Sequence, residues 1–197
     1  MRRLKYLLAI LLMLTMSGCQ DVLTTKPIGE KPSELKAEDW DGIWSNSKGE
    51  FCSIKVVDGK NGMLKMACLG WEEEEAKVST LELQLREWGN CVFATAISLS
   101  TENSGSRDNS EGGYSWARIK RDGNMLIFWM PNWDKFSSLV KNGKLPGKVI
   151  NPQVDRSDIS IDLGEPTPEH LEIFASDVYN WDDPAILVRI ASSQKDR

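Results

Sequence analysis

Phe51-Cys52-Ser53-Ile54-Lys55-Val56-Val57-Asp58-Gly59-Lys60-Asn61-Gly62-Met63-Leu64-Lys65-Met66-Ala67-Cys68-Leu69-Gly70 is two apolar-rich runs around a polar turn. Asn and Gly accept the positive φ that a tight hairpin turn needs, so Asp58–Gly62 predicts a hairpin joining a strand over Phe51–Val57 to one over Met63–Gly70. Cys52 and Cys68 are both eight residues from Lys60, the centre of that turn. If Val57 pairs with Met63, the two cysteines face each other. A non-hydrogen-bonded antiparallel pair brings its Cα atoms to about 4.5 Å, within the range that a disulfide bridges.

The same grammar continues along the chain. Lys77–Arg86, Cys91–Leu99, Tyr114–Lys120, Asn124–Met130, Ile159–Leu163 and Ala185–Ile190 are further short β runs separated by turn residues. Leu81, Leu83 and Leu85 alternate with Glu82, Gln84 and Arg86, the period of a strand with one wet face. Arg121-Asp122-Gly123-Asn124 is a second hairpin turn. Sequential hairpins predict a mainly β fold, an antiparallel meander of about eight strands. Two stretches switch to a helical period. Asn132 caps one in which Trp133, Phe136, Leu139 and Val140 share a face before Gly143 stops it. Thr167-Pro168 opens another, with Leu171, Phe174, Ala175 and Val178 together. Each has one apolar stripe and is expected to pack on the sheet. Thr101–Gly113, polar and rich in Gly, reads as a mobile loop.

The N-terminus carries Arg2, Arg3 and Lys5 without an acid, then an apolar run from Leu7 to Met16, then Ser17-Gly18-Cys19. This is the order of a signal peptide, over residues 1–18, and the run is too short for the roughly 20 residues that span a bilayer. Met16-Ser17-Gly18-Cys19 resembles the lipobox of bacterial lipoproteins, with Met16 where Leu is usual. The resemblance implies cleavage before Cys19, lipidation there, and a membrane partner held through that lipid. Gln20 at the next position implies transfer to the outer membrane. Residues 19–38 read as the lipidated end and a flexible tether, polar and containing Pro27 and Pro32. Such a coil spans roughly 25 Å. Residues 39–197 form a single β-rich domain, outside the cytoplasm. Export makes the Cys52–Cys68 bridge plausible, with Cys91 left as a buried thiol. Cleavage leaves 21 Lys+Arg against 29 Asp+Glu, a balance that argues against nucleic acid or an anionic membrane surface as partner.

Trp40-Asp41-Gly42-Ile43-Trp44 resembles the Gly-x-Trp signature that opens the first strand of lipocalins and related calycin barrels. In that family the Trp closes one end of the barrel under an Arg from the last strand. The resemblance implies a lipocalin-like barrel in which Gly42, Trp44 and Arg189 form a structural signature, and it covers only the two ends of the domain. An open sheet or a sandwich would leave Arg189 far from Trp44.

Catalytic and metal chemistry find little footing. His170 is the only histidine, so neither a triad nor a zinc site has a second imidazole to use. Glu72–Glu75 and Asp182-Asp183 meet no ligand spacing and read as solvated turns. No cofactor is expected. The eight tryptophans are enough to line an apolar pocket or a partner surface, although core packing is the commoner use. The expectation is a lipid-anchored, non-enzymatic envelope lipoprotein whose domain binds a small apolar ligand or a protein partner. An inhibitor or accessory protein is the first alternative, because Ser104-Gly105, Tyr114 and Trp116 resemble, at a different spacing, the loop-and-strand motif of lysozyme-inhibitor lipoproteins. A carboxylate-using envelope enzyme is the second.

Overall fold

The computed structural model describes residues 21–72, 75–101, 105–108, 113–150, 158–162 and 167–192. Among the described residues, thirteen strands and three helices follow in chain order. The strands are β1 (Val22–Thr24), β2 (Lys31–Pro32), β3 (Gly42–Ser45), β4 (Phe51–Asp58), β5 (Met63–Glu72), β6 (Glu75–Trp88), β7 (Cys91–Thr101), β8 (Gly105–Asp108), β9 (Trp116–Asp122), β10 (Met125–Trp129), β11 (Gly147–Ile150), β12 (Asp158–Ile161) and β13 (Ala185–Ser192). The helices are α1 (Ala37–Trp40), α2 (Trp133–Lys141) and α3 (Pro168–Ala175).

Eight strands close into an antiparallel barrel in the order β3-β4-β5-β6-β7-β9-β10-β13, and β13 pairs back onto β3. This is the up-and-down order of a lipocalin-like barrel. Of the eight runs expected from the sequence, seven lie in it. The run beginning at Ile159 is instead β12, the middle strand of a separate sheet β1-β12-β11, and β3 takes the remaining place in the barrel. Period-two alternation fixes what faces inward: Trp44, Cys52, Ile54, Leu64, Met66, Leu81, Leu83, Leu85, Ala94, Ala96, Ile119, Leu126, Phe128 and Leu187 fill the interior.

The first hairpin shows how local chemistry sets register. Asp58 accepts from the backbone N–H groups of Lys60 and Asn61, at 3.1 and 3.2 Å, and from the Asn61 side chain. Gly62 takes φ +68°, and a Cβ there would lie 2.2 Å from the carbonyl oxygen of Leu85. Val57 is bulged out, so Asp58 rather than Val57 pairs with Met63. The bulge sits between the turn and the cysteines, so Cys52 still faces Cys68, and the two form a disulfide inside the barrel with Cα atoms 4.1 Å apart. Cys91 is a free, buried thiol.

The segment expected to be a free tether is part of the fold. β1 pairs in parallel with β12, β2 pairs with β6, and Val22, Ile28 and Leu35 are buried. Leu35 N–H donates to Gly59 O, and Leu35 and Trp40 cover the barrel end at the β4–β5 turn. The polar composition hid this because the apolar residues enter separate sites and share no period. A second correction concerns Thr101–Gly113. Gly105–Asp108 is a strand paired to β7, while residues 102–104 and 109–112 lie outside the described residues.

Both expected helices form and pack on the sheet, although in α3 Ala175 is exposed and Val178 is buried beyond the helix end. Asn132 caps α2 by accepting from Lys135 N–H, and Thr167 caps α3 by accepting from His170 N–H. With β1, β11 and β12 they build a second core outside the barrel, over the outward faces of β7 and β9. Phe93, Trp116, Phe136, Phe174 and Tyr179 meet there with ring centroids 5.2–6.1 Å apart, edge to face except for the tilted Trp116–Phe174 pair. The Tyr179 hydroxyl donates to Phe174 O at 2.7 Å, and burial raises its pKa well above 10.0.

A phenol raised in this way contributes fully below its unfolded pKa and loses that contribution as pH climbs past about 10. Tyr179→Phe should therefore cost about 1 kcal/mol at neutral pH, the value of one hydrogen bond. It should also flatten the fall in stability above pH 10. Urea melts across that range check both effects.

Candidate functional site

Three places could carry function: the closed end of the barrel, its interior and its outer surface. At the closed end the guanidinium of Arg189 lies over the Trp44 ring at 5.7 Å, within the distance of a cation–π contact. Trp44 is fully buried, and its indole N–H donates to Trp40 O at 3.0 Å. Arg189 Nη1 and Nη2 both donate to Glu38 O at 3.1 Å, and Nη2 also donates to Asp41 O. Gly42 begins β3 with φ +154°. Arg121 pairs with Asp39 at 3.0 Å beside them. The structure thus brings Gly42, Trp44 and Arg189 into one cluster, in which Arg189 ties α1 to the last strand. Its Nη1 and Nη2 are engaged by carbonyls while the buried Nε has no partner, and the cluster acts as a lock on the barrel end.

Among the described residues the interior offers little room. Met66, Leu81, Leu83, Ala94, Ala96 and Phe128 line a void of about 50 Å³, against the roughly 300–1,000 Å³ of a small-molecule pocket. A larger groove of about 410 Å³ lies outside the barrel, between residues 24–30 and Arg86, Ile161 and Asp162. Arg86 donates from Nε to Gly29 O and from Nη2 to Glu30 O, at 3.0 and 2.9 Å, and Thr25 Oγ1 donates to Asp162. The polar groups of this groove therefore hold the N-terminal segment in place.

The outer surface is uneven. Val78, Leu69, Phe51, Ser45, Val188 and Met125 are successive cross-strand partners from β6 round to β10. Every apolar member of that row is an exposed side chain, from 38 % for Val78 to 46 % for Phe51. The next row reads Thr80, Ala67, Ser53, Ile43 and Ala191, which are small apart from Ile43. Ile186 and Ile190 extend the exposed apolar area on β13. In the closed ring β3 and β4 stand opposite β7 and β9, so this flank points away from the second core. The row crosses six strands, about 24 Å at ordinary sheet spacing. Alternation in β13 marks its two faces, but nothing in the sequence says which runs of the barrel are left uncovered.

Of the titratable groups, His170 is engaged locally. His170 Nδ1 accepts from Thr167 N–H at 3.3 Å, completing the cap of α3. Burial pushes the Glu50 carboxyl up, against the lowering effect of Asn46 and Lys48. Asp182 and Asp183 are exposed on a turn. Among the described residues no group of three or more His, Cys, Asp or Glu could hold a metal ion, and no helix is long and apolar enough to cross a membrane. Cys19, Ser104 and the Glu73-Glu74 part of the acidic run lie outside the described residues. No protein-family model, curated protein or solved structure matches the chain.

The closed-end lock makes a definite prediction. Arg189→Ala should lower stability by about 2–3 kcal/mol, since it removes charge-assisted hydrogen bonds and the contact with Trp44. Arg189→Lys should recover only part of this, because a point charge lacks the planar fork. Thermal and urea melts of the three proteins, compared at one pH, check the order.

Proposed function

We propose that the protein is a lipid-anchored envelope lipoprotein that works as a non-catalytic binding module and grips an envelope protein partner through the apolar flank of β5, β4, β3 and β13. The observation that carries this reading is the row Val78-Leu69-Phe51-Ser45-Val188-Met125, exposed on a protein whose barrel interior is already filled. An exposed apolar patch of this extent marks an interaction surface in a soluble domain. The 50 Å³ void supports a partner over a small apolar ligand, because a carrier needs several times that volume. The anchor rests on the Met16–Cys19 lipobox, and the outer membrane on Gln20. The non-catalytic reading is supported by His170, whose imidazole is engaged in a helix cap.

A photo-crosslinking amino acid placed at Phe51 or Val188, in the protein's own host, tests the reading. Both positions should give the same discrete protein adduct, and Glu172, exposed on α3, should not. Lack of an adduct at the flank, or an equal adduct at Glu172, would overturn it. Native mass spectrometry of the purified protein covers the carrier reading: a stoichiometric small lipid held by the barrel would decide against the flank.

A further inference from the structure

The chain between the lipidation site and the fold is very short. Only Gln20 separates Cys19 from Asp21, whose carbonyl accepts from Ile159 N–H at 2.8 Å. The sheet β1-β12-β11 buries one face in the second core through Val22, Thr24, Ile159 and Ile161. Its other face carries the cross-strand row Leu23-Ser160-Lys148. Leu23 is half-buried and Lys148 is exposed. Four residues of extended chain reach at most about 14 Å, so Leu23 stays within that distance of a lipidated Cys19. Lys148 is two strands further, about 10 Å.

The charge of one stretch on this side runs against that of the whole. Trp133–Lys148 contains Lys135, Lys141, Lys144 and Lys148 but only one acid, Asp134, in a chain with an overall acidic balance. Lys135 is paired with Asp177 at 2.9 Å. Lys141 lies over the Trp133 ring at 5.7 Å, and among the described residues Lys144 and Lys148 have no ion pair. Asp158 lies in β12, Asp21 and Asp162 border the sheet, and Asp162 accepts from Thr25. Lys141 also suits the C-terminus of α2. Lys144 and Lys148 have no such local role.

We infer that the outer face of β1-β12-β11, together with Lys141 and Lys144, is the side of the protein that lies on the anionic headgroups of the bilayer. The inference rests on the proposed anchor at Cys19. A leash of two residues keeps the sheet that starts beside it within reach of the headgroups, and the lysines settle that face on them. Lysines near such a surface are attracted to it, each by a factor of about five in binding. The apolar flank, on the opposite side of the barrel, then faces away from the bilayer.

The test uses the mature protein extracted from its membrane and placed in phosphatidylcholine vesicles, with or without phosphatidylglycerol, or in neutral detergent. Lysine acylation is followed by mass spectrometry. Lys144 and Lys148 should react at least about fivefold more slowly on phosphatidylglycerol vesicles than in detergent, while Lys55 on the opposite flank is unchanged. Equal rates at all three lysines, or slowing of Lys55 instead, would overturn the inference. The double variant Lys144→Glu, Lys148→Glu changes only exposed side chains and should remain anchored, while the protection of Lys141 disappears. Persistent protection of Lys141 in that variant would count against the face.

The intact mass separates the two readings. Protein without diacylglycerol on Cys19 would refute the anchor. The face is then judged by co-sedimentation of unlipidated Cys19→Ser protein with phosphatidylglycerol vesicles, which should fall at least about twentyfold in the double variant. Equal sedimentation of the two proteins would overturn the face alone.

Discussion

When Gly42–Ser45 pairs with Ala185–Ser192, the two ends of a long antiparallel meander become neighbours and the sheet loses its long edges. That pairing is the most distant in sequence within the barrel, and local turn chemistry does nothing to bring it about. What favours it is side-chain chemistry at the junction. Trp44 fills the barrel end, Arg189 covers its ring, and the same guanidinium binds carbonyls of the α1 segment from the other direction. The bulge at Ile190 takes up the extra residue as β13 passes this point, so Arg189 is directly opposite Trp44.

Closure has consequences for function. A closed ring of eight strands gives an interior that side chains can fill, and here they do, down to a void of about 50 Å³. It also forces β3 and β4 to stand opposite β7 and β9. The second core covers one side of the ring and leaves the other bare. The proposed division of labour follows from that geometry: the covered side carries the N-terminal strand and the lysines of residues 135–148, and the bare side carries Phe51, Leu69 and Val188. In this reading a lipoprotein too packed to be a carrier works through its exterior.

Much of this was legible in the chain because it was locally encoded. Leu81, Leu83 and Leu85 declared an inward face, Asp58–Gly62 declared a hairpin, and the equal distances of Cys52 and Cys68 from Lys60 declared a pair. Trp44 and Arg189 were legible only through a family resemblance, since 145 residues separate them. The N-terminal segment was misread for a physical reason. Val22, Ile28 and Leu35 each enter a different part of the fold, at spacings that match neither helix nor strand, so composition alone suggests a tether. The surface was illegible for another reason. Alternation shows that Phe51 and Leu69 lie on the outward face, but whether that face is covered depends on where β12 and the two longer helices pack, and no local signal records it.

Native-state hydrogen exchange across β3 and β13, followed residue by residue, tests closure most directly. If the ring is closed, the hydrogen-bonded amides of Gly42–Ser45 and Leu187–Val188 exchange only through global unfolding, at the same free energy as those at the centres of β5 and β6. Exchange of β3 and β13 through a separate opening of much lower free energy would mean that the sheet is open between them. The filled barrel and the opposed outer faces would then lose their basis.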